Sequence, residues 1–174
     1  MLVDKTERQL FCFEKNQNEN SSADIEKNIW HMFVDGAARK NPGPAGAGVF
    51  ITKNHIAILK KGFFLGCKTN NQAEYIAFLL GIHHLKTFLK GQYAEITCYS
   101  DSLLMVKQLN GEYKVADQKL KKLYDIAKMY RDAIPMLIKH IPREKNMEAD
   151  EAANWGIDNK VPLPKVFIST FSFE

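Results

Sequence analysis

Two aspartates follow strand-like segments of the chain, where a carboxylate can reach a substrate. Asp35 ends the apolar run at 30–34, and Asp101 ends the alternating segment at 95–100. Ligands gather at strand ends in layered α/β sheets, because backbone groups and loops open there. Either aspartate alone is more commonly a turn or cap residue, so a catalytic hypothesis depends on further acids.

Two more acids lie on the packing faces of predicted helices. Glu74 falls one turn into a helix, on the stripe that also carries Phe78, Gly81 and Leu85. This spacing points its carboxylate toward the sheet. Asp150 falls in the first turn of the last predicted helix, among alanines. Taken singly, each acid is equally explained as a favourable charge near a helix N-terminus.

The four carboxylates together predict a metal site. A buried carboxylate costs several kcal/mol unless it is paired, and the sequence offers no obvious buried lysine or arginine for all four. Hard divalent cations such as Mg²⁺ bind carboxylate oxygens and keep water positions open. Without metal the acids repel one another, so we expect at least one pKa to be raised.

Composition fits a soluble protein of one principal domain. The chain has 174 residues, 45% of them hydrophobic and 25% charged, with a net charge of +4 that is compatible with nucleic acid without demanding it. Its three cysteines lie far apart, which favours a reducing, cytoplasmic setting. No apolar run approaches the ~20 residues of a membrane span, and the N-terminus lacks the apolar centre of a signal peptide.

The apolar pattern predicts five strands and four principal helices. The strands fall at 29–35, 45–52, 56–64, 95–100 and 136–141, with a hairpin turn at 53–54. The helices begin at Asn70 or Asn71, which can cap the first, at 102, at 118 and at Asn146, which caps the last; that one ends near Gly156. Three successive strands followed by alternating helices and strands favour a mixed sheet with helices on its faces.

Composition also divides the chain. The polar stretch 14–28 makes residues 1–28 an N-terminal extension or linker, and residues 29–159 form the expected catalytic domain. Residues 160–174 form a tail with two prolines and then alternating apolar residues. We expect this tail to add an edge strand or to stay loose.

Four blocks of sequence resemble type 1 ribonuclease H in order and spacing, over roughly residues 30–156. The blocks are DGAARKNPGPAGAG, TNNQAEYIAFLLGI, YSDSLLMVKQLNGEYKV and IPREKNMEADEAAN. The resemblance implies an α/β ribonuclease H-like fold, with a five-stranded mixed sheet of three antiparallel and then parallel strands, flanked by helices. It also implies hydrolysis of the RNA strand of RNA–DNA hybrids, giving 5′-phosphate and 3′-hydroxyl ends.

The same resemblance assigns the metal ligands to Asp35, Glu74, Asp101 and Asp150, holding two Mg²⁺ ions for which Mn²⁺ can substitute. Two ions about 3.5–4 Å apart can activate the attacking water and stabilise the leaving oxygen. By resemblance Asp35 bridges both ions, Asp101 and Glu74 hold the ion nearer the leaving group, and Asp150 holds the other.

The resemblance also implies substrate contacts. Asn41 and Asn71 would meet the 2′-hydroxyl groups that distinguish RNA from DNA, and Thr69 would belong to a pocket for a DNA phosphate. Gly36 would let the substrate backbone approach, since it has no Cβ. Arg143 would act as an electrostatic helper near the phosphate. Asn41 is equally a turn former, Asn71 a helix cap and Arg143 a solvated loop residue.

Two features found in some family members are missing. No histidine lies in the loop before Asp150, where the sequence resembles a bacterial and archaeal subgroup, and His140 falls in a predicted strand. No basic, tryptophan-bearing protrusion follows Asp101, so hybrid binding would be weaker or spread elsewhere, for example onto Lys60 and Lys61. Each of these lysines is more simply explained as part of an ordinary solvated face. We expect a monomer whose partner is the RNA–DNA hybrid.

Three alternatives to an active cellular enzyme stand at this point. A catalytically silent hybrid-binding module on the same fold would have no reason to keep all four acids. A proofreading exonuclease would carry Asp-x-Glu in its first strand, and the sequence has Asp35-Gly36-Ala37. A ribonuclease H domain of a retroelement polyprotein stays open.

Overall fold

A mixed five-stranded sheet forms the centre of the protein. The computed structural model describes residues 28–171, and its strands are β1 (Ile29–Ala38), β2 (Gly43–Lys53), β3 (Ile56–Lys68), β4 (Glu95–Ser100) and β5 (Leu137–His140). They lie in the order β3-β2-β1-β4-β5. The first three are antiparallel, and β4 and β5 run parallel to β1. The predicted fold class is confirmed.

Five α-helices and one 3₁₀ turn complete the described part of the chain. They are α1 (Asn70–Leu89), α2 (Leu103–Leu109), α3 (Gln118–Ala133), the 3₁₀ turn Arg143–Lys145, α4 (Met147–Asp158) and α5 (Lys165–Phe171). None of these helices, within residues 28–171, is long and apolar enough to cross a membrane.

Helix α1 packs closely on β1 through the stripe that contains Glu74. Phe78 and Leu85 are fully buried. A Cβ on Gly81 would lie 2.5 Å from the sulfur of Met32 on β1, so a larger residue would push the helix off the sheet. The predicted inward face of this helix is therefore confirmed.

Helix α4 lies on the other face of the sheet, against glycines of β2 and β3. A Cβ on Gly48 would lie 1.9 Å from the carbonyl oxygen of Ala149, and one on Gly62 would lie 1.7 Å from that of Ala152. Both alanines are buried. This backbone-to-backbone contact fixes the height of α4 above the strands, and with it the position of Asp150.

Strand β1 continues past the point where we predicted its end. Asp35 is an interior residue of β1 rather than its last, because Gly36, Ala37 and Ala38 continue the antiparallel ladder with β2. The parallel pairing with β4 stops earlier, at Phe33 and Tyr99. Asp35 therefore lies where β4 has ended and the sheet opens on that side.

Two predicted turn and cap assignments were wrong in detail. The hairpin turn is Asn54-His55, since both residues adopt positive φ angles of 49° and 67°. The cap of α1 is Thr69, which precedes both predicted asparagines. Its hydroxyl accepts from the Gln72 amide at 3.3 Å, while the Gln72 side chain accepts from the Thr69 amide at 2.9 Å. This reciprocal capping box leaves Asn71 free of that task.

The tail prediction of an edge strand or loose segment was wrong. Residues 165–171 form α5, and Phe167 and Phe171 are buried. Their rings lie 5.7 Å from His83 and 5.3 Å from Tyr130 respectively. Phenylalanines four residues apart share one helix face, and this spacing also fits an alternating strand pattern. Residues 1–27, nearly all of the predicted extension, lie outside the described range.

Candidate active site

Three carboxylates from distant parts of the chain converge beside the end of β4. One oxygen from each of Asp35, Glu74 and Asp101 lies within 4.8 Å of the others. Asp35 comes from β1, Glu74 from α1, and Asp101 from the residue after β4. Asp35 and Glu74 are each only 5% exposed. Buried acids this close fit a divalent cation, because oxygen ligands of this kind are what Mg²⁺ binds.

Gly36 brings Glu74 to the site. A Cβ on Gly36 would lie 2.1 Å from the Glu74 amide nitrogen, so only glycine lets α1 approach β1 here. The Gly36 amide also donates to Glu74 Oε2 at 3.1 Å. Gly36 is therefore needed for the packing of α1 on β1, a role that the sequence did not reveal. Contact of Gly36 with a substrate stays a prediction.

Asp150 lines the same cleft and forms an ion pair with the side chain of Arg143. Arg143 Nη2 donates to Asp150 Oδ1 at 2.5 Å, and Asn154 Nδ2 donates to Oδ2 at 3.3 Å. Asp150 does not belong to the three-carboxylate cluster within 4.8 Å. Arg143 is largely exposed, so it can leave this carboxylate without exposing a buried surface.

The protonation of the cluster reflects its burial and crowding. Burial, followed by the charges of Asp101 and Asp150 and a hydrogen bond with Asp101, raises the pKa of Asp35 to about 7, with Arg143 acting in the opposite direction. Burial and then the charges of Asp35 and Asp101 raise the pKa of Glu74 well above its ordinary value. The expectation of a raised pKa is confirmed, and a cation would relieve the same repulsion.

The cleft has a volume of about 240 Å³. Its lining also includes polar side chains that the sequence did not indicate as site residues. These are Arg39, Asn70 and Asn154. Arg39 forms an ion pair with Asp158 at the end of α4. Asn70 was considered only as a helix cap, and the signal that could have found it is its position one turn before Glu74 on the same helix.

Of the predicted substrate contacts, Gly36 and Arg143 line the cleft, whereas Asn41, Thr69 and Asn71 do not. Asn41 is exposed, and its Oδ1 accepts from the Asn70 amide at 3.0 Å. Asn71 is also exposed, on the first turn of α1, and it does not line the cleft. The Thr69 hydroxyl accepts a hydrogen bond in the capping box, so its own proton is available for another acceptor.

Two other candidate residues lie away from the cleft. Lys60, one of the lysines considered for hybrid binding, has its ammonium in contact with Glu148 and Glu151 of α4. His140 is an exposed residue at the end of β5 and does not line the cleft. The loop before Asp150 contains Arg143 and no histidine.

Known proteins resemble this chain across the whole of the site. The family model described as reverse transcriptase-like matches residues 33–156. The ribonuclease HI of Halobacterium salinarum is 34% identical over 131 residues, which cover 74% of this chain and 64% of that protein. A bifunctional protein of Mycobacterium tuberculosis is 35% identical over 72% of this chain and 34% of its own length. The chain therefore spans less than two thirds of these curated relatives.

Two solved RNase H1 structures match this chain over nearly their full length. The crystal structure of LC11-RNase H1 in complex with RNA/DNA hybrid is 36% identical with a TM-score of 0.71, and the match covers 75% of this chain and 97% of that one. The crystal structure of RNase H1 from Halobacterium salinarum is 32% identical with a TM-score of 0.70, covering 75% and 98%. Both matches support the ribonuclease H fold with its five-stranded mixed sheet.

Proposed function

This chain belongs to the type 1 ribonuclease H family, and from that premise we propose that it hydrolyses the RNA strand of RNA–DNA hybrids. The observation that carries the proposal is the convergence of Asp35, Glu74 and Asp101 in a cleft that Asp150 also lines. The similarity to a relative crystallised with an RNA/DNA hybrid supports the same substrate. The silent-module alternative leaves this cluster of mutually repelling acids without a purpose.

The donor set fits two Mg²⁺ ions, with Mn²⁺ as a substitute. Carboxylate oxygens are hard ligands, and the pKa of Asp35 is raised by burial and then by the charges of Asp101 and Asp150, a repulsion that bound cations would offset. When bound, the ions supply an activated water and stabilise the leaving oxygen. Asp35 neighbours both Asp101 and Asp150, so we assign it to both ions, Glu74 and Asp101 to one, and Asp150 to the other.

Residues of the chain itself would bind and orient the hybrid. Arg143 pairs with the Asp150 carboxylate, and its exposed guanidinium would be able to bind a phosphate if metal ions held Asp150 instead. Asn41 and Asn71, exposed beside the cleft, would read 2′-hydroxyl groups of the RNA. The Thr69 hydroxyl would donate to a phosphate of the DNA strand, and Gly36 would lie under the scissile region. We expect the products of hydrolysis to carry 5′-phosphate and 3′-hydroxyl ends.

We further propose that the protein acts as a monomer in the cytoplasm. Its widely spaced cysteines suit a reducing compartment, and Cys98 is buried while Cys67 is exposed and free. Size-exclusion chromatography with light scattering at working concentration tests the oligomeric state directly. A stable dimer would contradict this part of the proposal.

Cleavage of a labelled RNA–DNA hybrid tests the function. Single-stranded RNA, duplex DNA and duplex RNA are assayed beside it, each with Mg²⁺, with Mn²⁺ and with EDTA. We expect metal-dependent cleavage of the RNA strand of the hybrid, and mapping of the ends identifies 5′-phosphate and 3′-hydroxyl termini. A hybrid that is bound but never cut would support the silent module instead.

Two substitutions make the assay specific to the site. Asp35→Asn should abolish cleavage, because an amide carries no charge for metal. The matched control is Asp125→Asn, since Asp125 is an exposed acid of α3 paired with Lys121. It should cleave like the wild type. An Asp35→Asn protein with unimpaired cleavage would overturn the assignment.

A further inference from the structure

Asn146 ties together segments that carry the carboxylates. It lies between the 3₁₀ turn and α4 and is 1% exposed. Its Nδ2 donates to the carbonyl oxygen of Val34 at 3.0 Å and to Asp101 Oδ1 at 2.9 Å. Val34 immediately precedes Asp35, so one amide group holds both β1 at the site and the Asp101 carboxylate.

The backbone of the same residue supports the third segment. The Asn146 carbonyl oxygen accepts from the amides of Ala149 at 3.1 Å and Asp150 at 3.0 Å. The first turn of α4, which carries Asp150, therefore starts from the residue that also contacts Asp101 and Val34. Asn146 is separated from Val34 by 112 positions and from Asp101 by 45, so no local turn geometry explains these contacts.

The side chain does not perform the ordinary task of its position. Asn146 occupies the N-cap of α4, yet its side chain makes no capping hydrogen bond. Its Oδ1 is buried and has no partner among the residues that the structure describes. Because a buried acceptor without a partner costs stability, this arrangement lacks the stabilisation that a capping asparagine would provide.

The chemistry of the contacts requires an amide at this place. Both partners of Nδ2 are acceptors, the Val34 carbonyl and the Asp101 carboxylate, so the group between them must donate twice. An NH₂ group does so without bringing a charge. A hydrogen bond of this kind fixes the orientation of the Asp101 carboxylate. The lone pairs of that carboxylate that face the other acids stay available to bind a metal ion.

We propose that Asn146 is a positioning residue of the metal site, which orients Asp101 and keeps β1 and α4 in register around it. The inference rests on the proposed function, because it assigns Asn146 a role toward the ions expected there. Partners that hydrogen-bond to metal-ligating carboxylates commonly contribute about 10- to 100-fold to metal affinity or activity. A purely structural tie between the sheet and α4 would instead change thermal stability alone.

Direct metal binding separates these two roles. Mn²⁺ affinity is measured by titration calorimetry on the full chain for the wild type and for Asn146→Ala. We expect at least a tenfold loss of Mn²⁺ affinity. In hybrid cleavage, kcat at a fixed metal concentration should fall by a similar factor. KM for the hybrid should stay within about threefold, since Asn146 is buried and does not line the cleft.

A matched control removes the same type of hydrogen bond from the other end of the helix. Asn159 Nδ2 donates to the Trp155 carbonyl oxygen at 2.9 Å at the C-cap of α4. Asn159→Ala should lose thermal stability without changing Mn²⁺ affinity or kcat. If Asn146→Ala does not fold, Asn146→Ser is measured under the same criteria, because it removes the long amide with a smaller loss of volume.

Mn²⁺ affinity of the Asn146 variant within twofold of wild type would overturn the inference, even with a lowered melting temperature. Failure of the proposed function gives a different result. A wild-type protein that binds Mn²⁺ and cuts no hybrid would contradict the function, while the calorimetric comparison of Asn146→Ala with Asn159→Ala still decides the role of Asn146.

Discussion

Replacing Asp35 by asparagine should stabilise the metal-free protein above pH 7 while it abolishes cleavage. Asp35 is 5% exposed, and burial together with its acidic neighbours raises its pKa to about 7 from the ordinary 3.8. Between these two pH values the folded state binds more protons than the unfolded state. Stability therefore falls as the pH rises through this window and remains reduced above pH 7.

The size of the effect follows from the two pKa values. The interval from 3.8 to about 7 corresponds to about 4 kcal/mol at 1.36 kcal/mol per pKa unit, which is an upper limit. The neighbouring carboxyls share protons with Asp35 and readjust when it is replaced, so we expect about 1–3 kcal/mol at pH 8. For a domain of this size each kcal/mol raises the melting temperature by about 2–4 °C.

Urea unfolding in EDTA at pH 5 and pH 8 measures the difference. The free energy of unfolding of Asp35→Asn should clearly exceed that of the wild type at pH 8, and by much less at pH 5. Saturating Mg²⁺ should stabilise only the wild type. Asp125→Asn, in which an exposed acid is changed, should show no gain at either pH. If Asp35→Asn in EDTA at pH 8 were no more stable than the wild type, the reasoning about the crowded carboxylates would be refuted.

Three further outcomes follow from the site and its supports. Mn²⁺ binding by the wild type should weaken as the pH falls below about 7, because protonated Asp35 cannot bind metal; calorimetry from pH 5.5 to 8.5 measures this, and a flat profile would contradict it. Gly48→Ala should lower the free energy of unfolding by about 1–3 kcal/mol or more and lower kcat, because its Cβ would lie 1.9 Å from the Ala149 carbonyl oxygen and displace α4. A variant with the same urea unfolding and kcat as the wild type would argue against this packing. His140→Ala should lower kcat less than tenfold, because His140 is exposed and outside the cleft; a larger loss would give it a catalytic role.

The elements that position the acids were largely predictable from the sequence. The stripe of Glu74, Phe78 and Leu85 has helical period, so its inward direction follows from spacing alone. The order of three strands followed by alternating helices and strands predicts the mixed sheet. These features depend on periodic burial, which a sequence displays directly.

Features that depend on contacts between distant segments were not predictable in the same way. Gly36 is a glycine because α1 passes against it, and nothing near Gly36 in the sequence shows that approach. Asn146 looks like an ordinary cap until Val34 and Asp101 are placed beside it. The charge of Lys60 appeared available because the acids that neutralise it lie about 90 residues further along the chain.

Local ambiguity explains the remaining errors. Phe167 and Phe171 satisfy both the helical and the alternating pattern over a short segment, so the sequence predicts an edge strand or a loose tail where the structure has a helix. The small residues after Asp35 carry little apolar signal, yet they extend β1 because Ala37 and Ala38 continue the antiparallel pairing with Gly46 and Ala45 of β2. Thr69 competes with the two asparagines that follow it, and the glutamine at Gln72 completes its capping box.

Diffraction from crystals grown or soaked with Mn²⁺ tests the central claim most directly. Anomalous scattering should reveal two ions, one contacting Asp35, Glu74 and Asp101 and the other contacting Asp35 and Asp150, with Arg143 turned away from the Asp150 carboxylate. Asp35 without any metal contact, in crystals that hold Mn²⁺ elsewhere, would contradict the account.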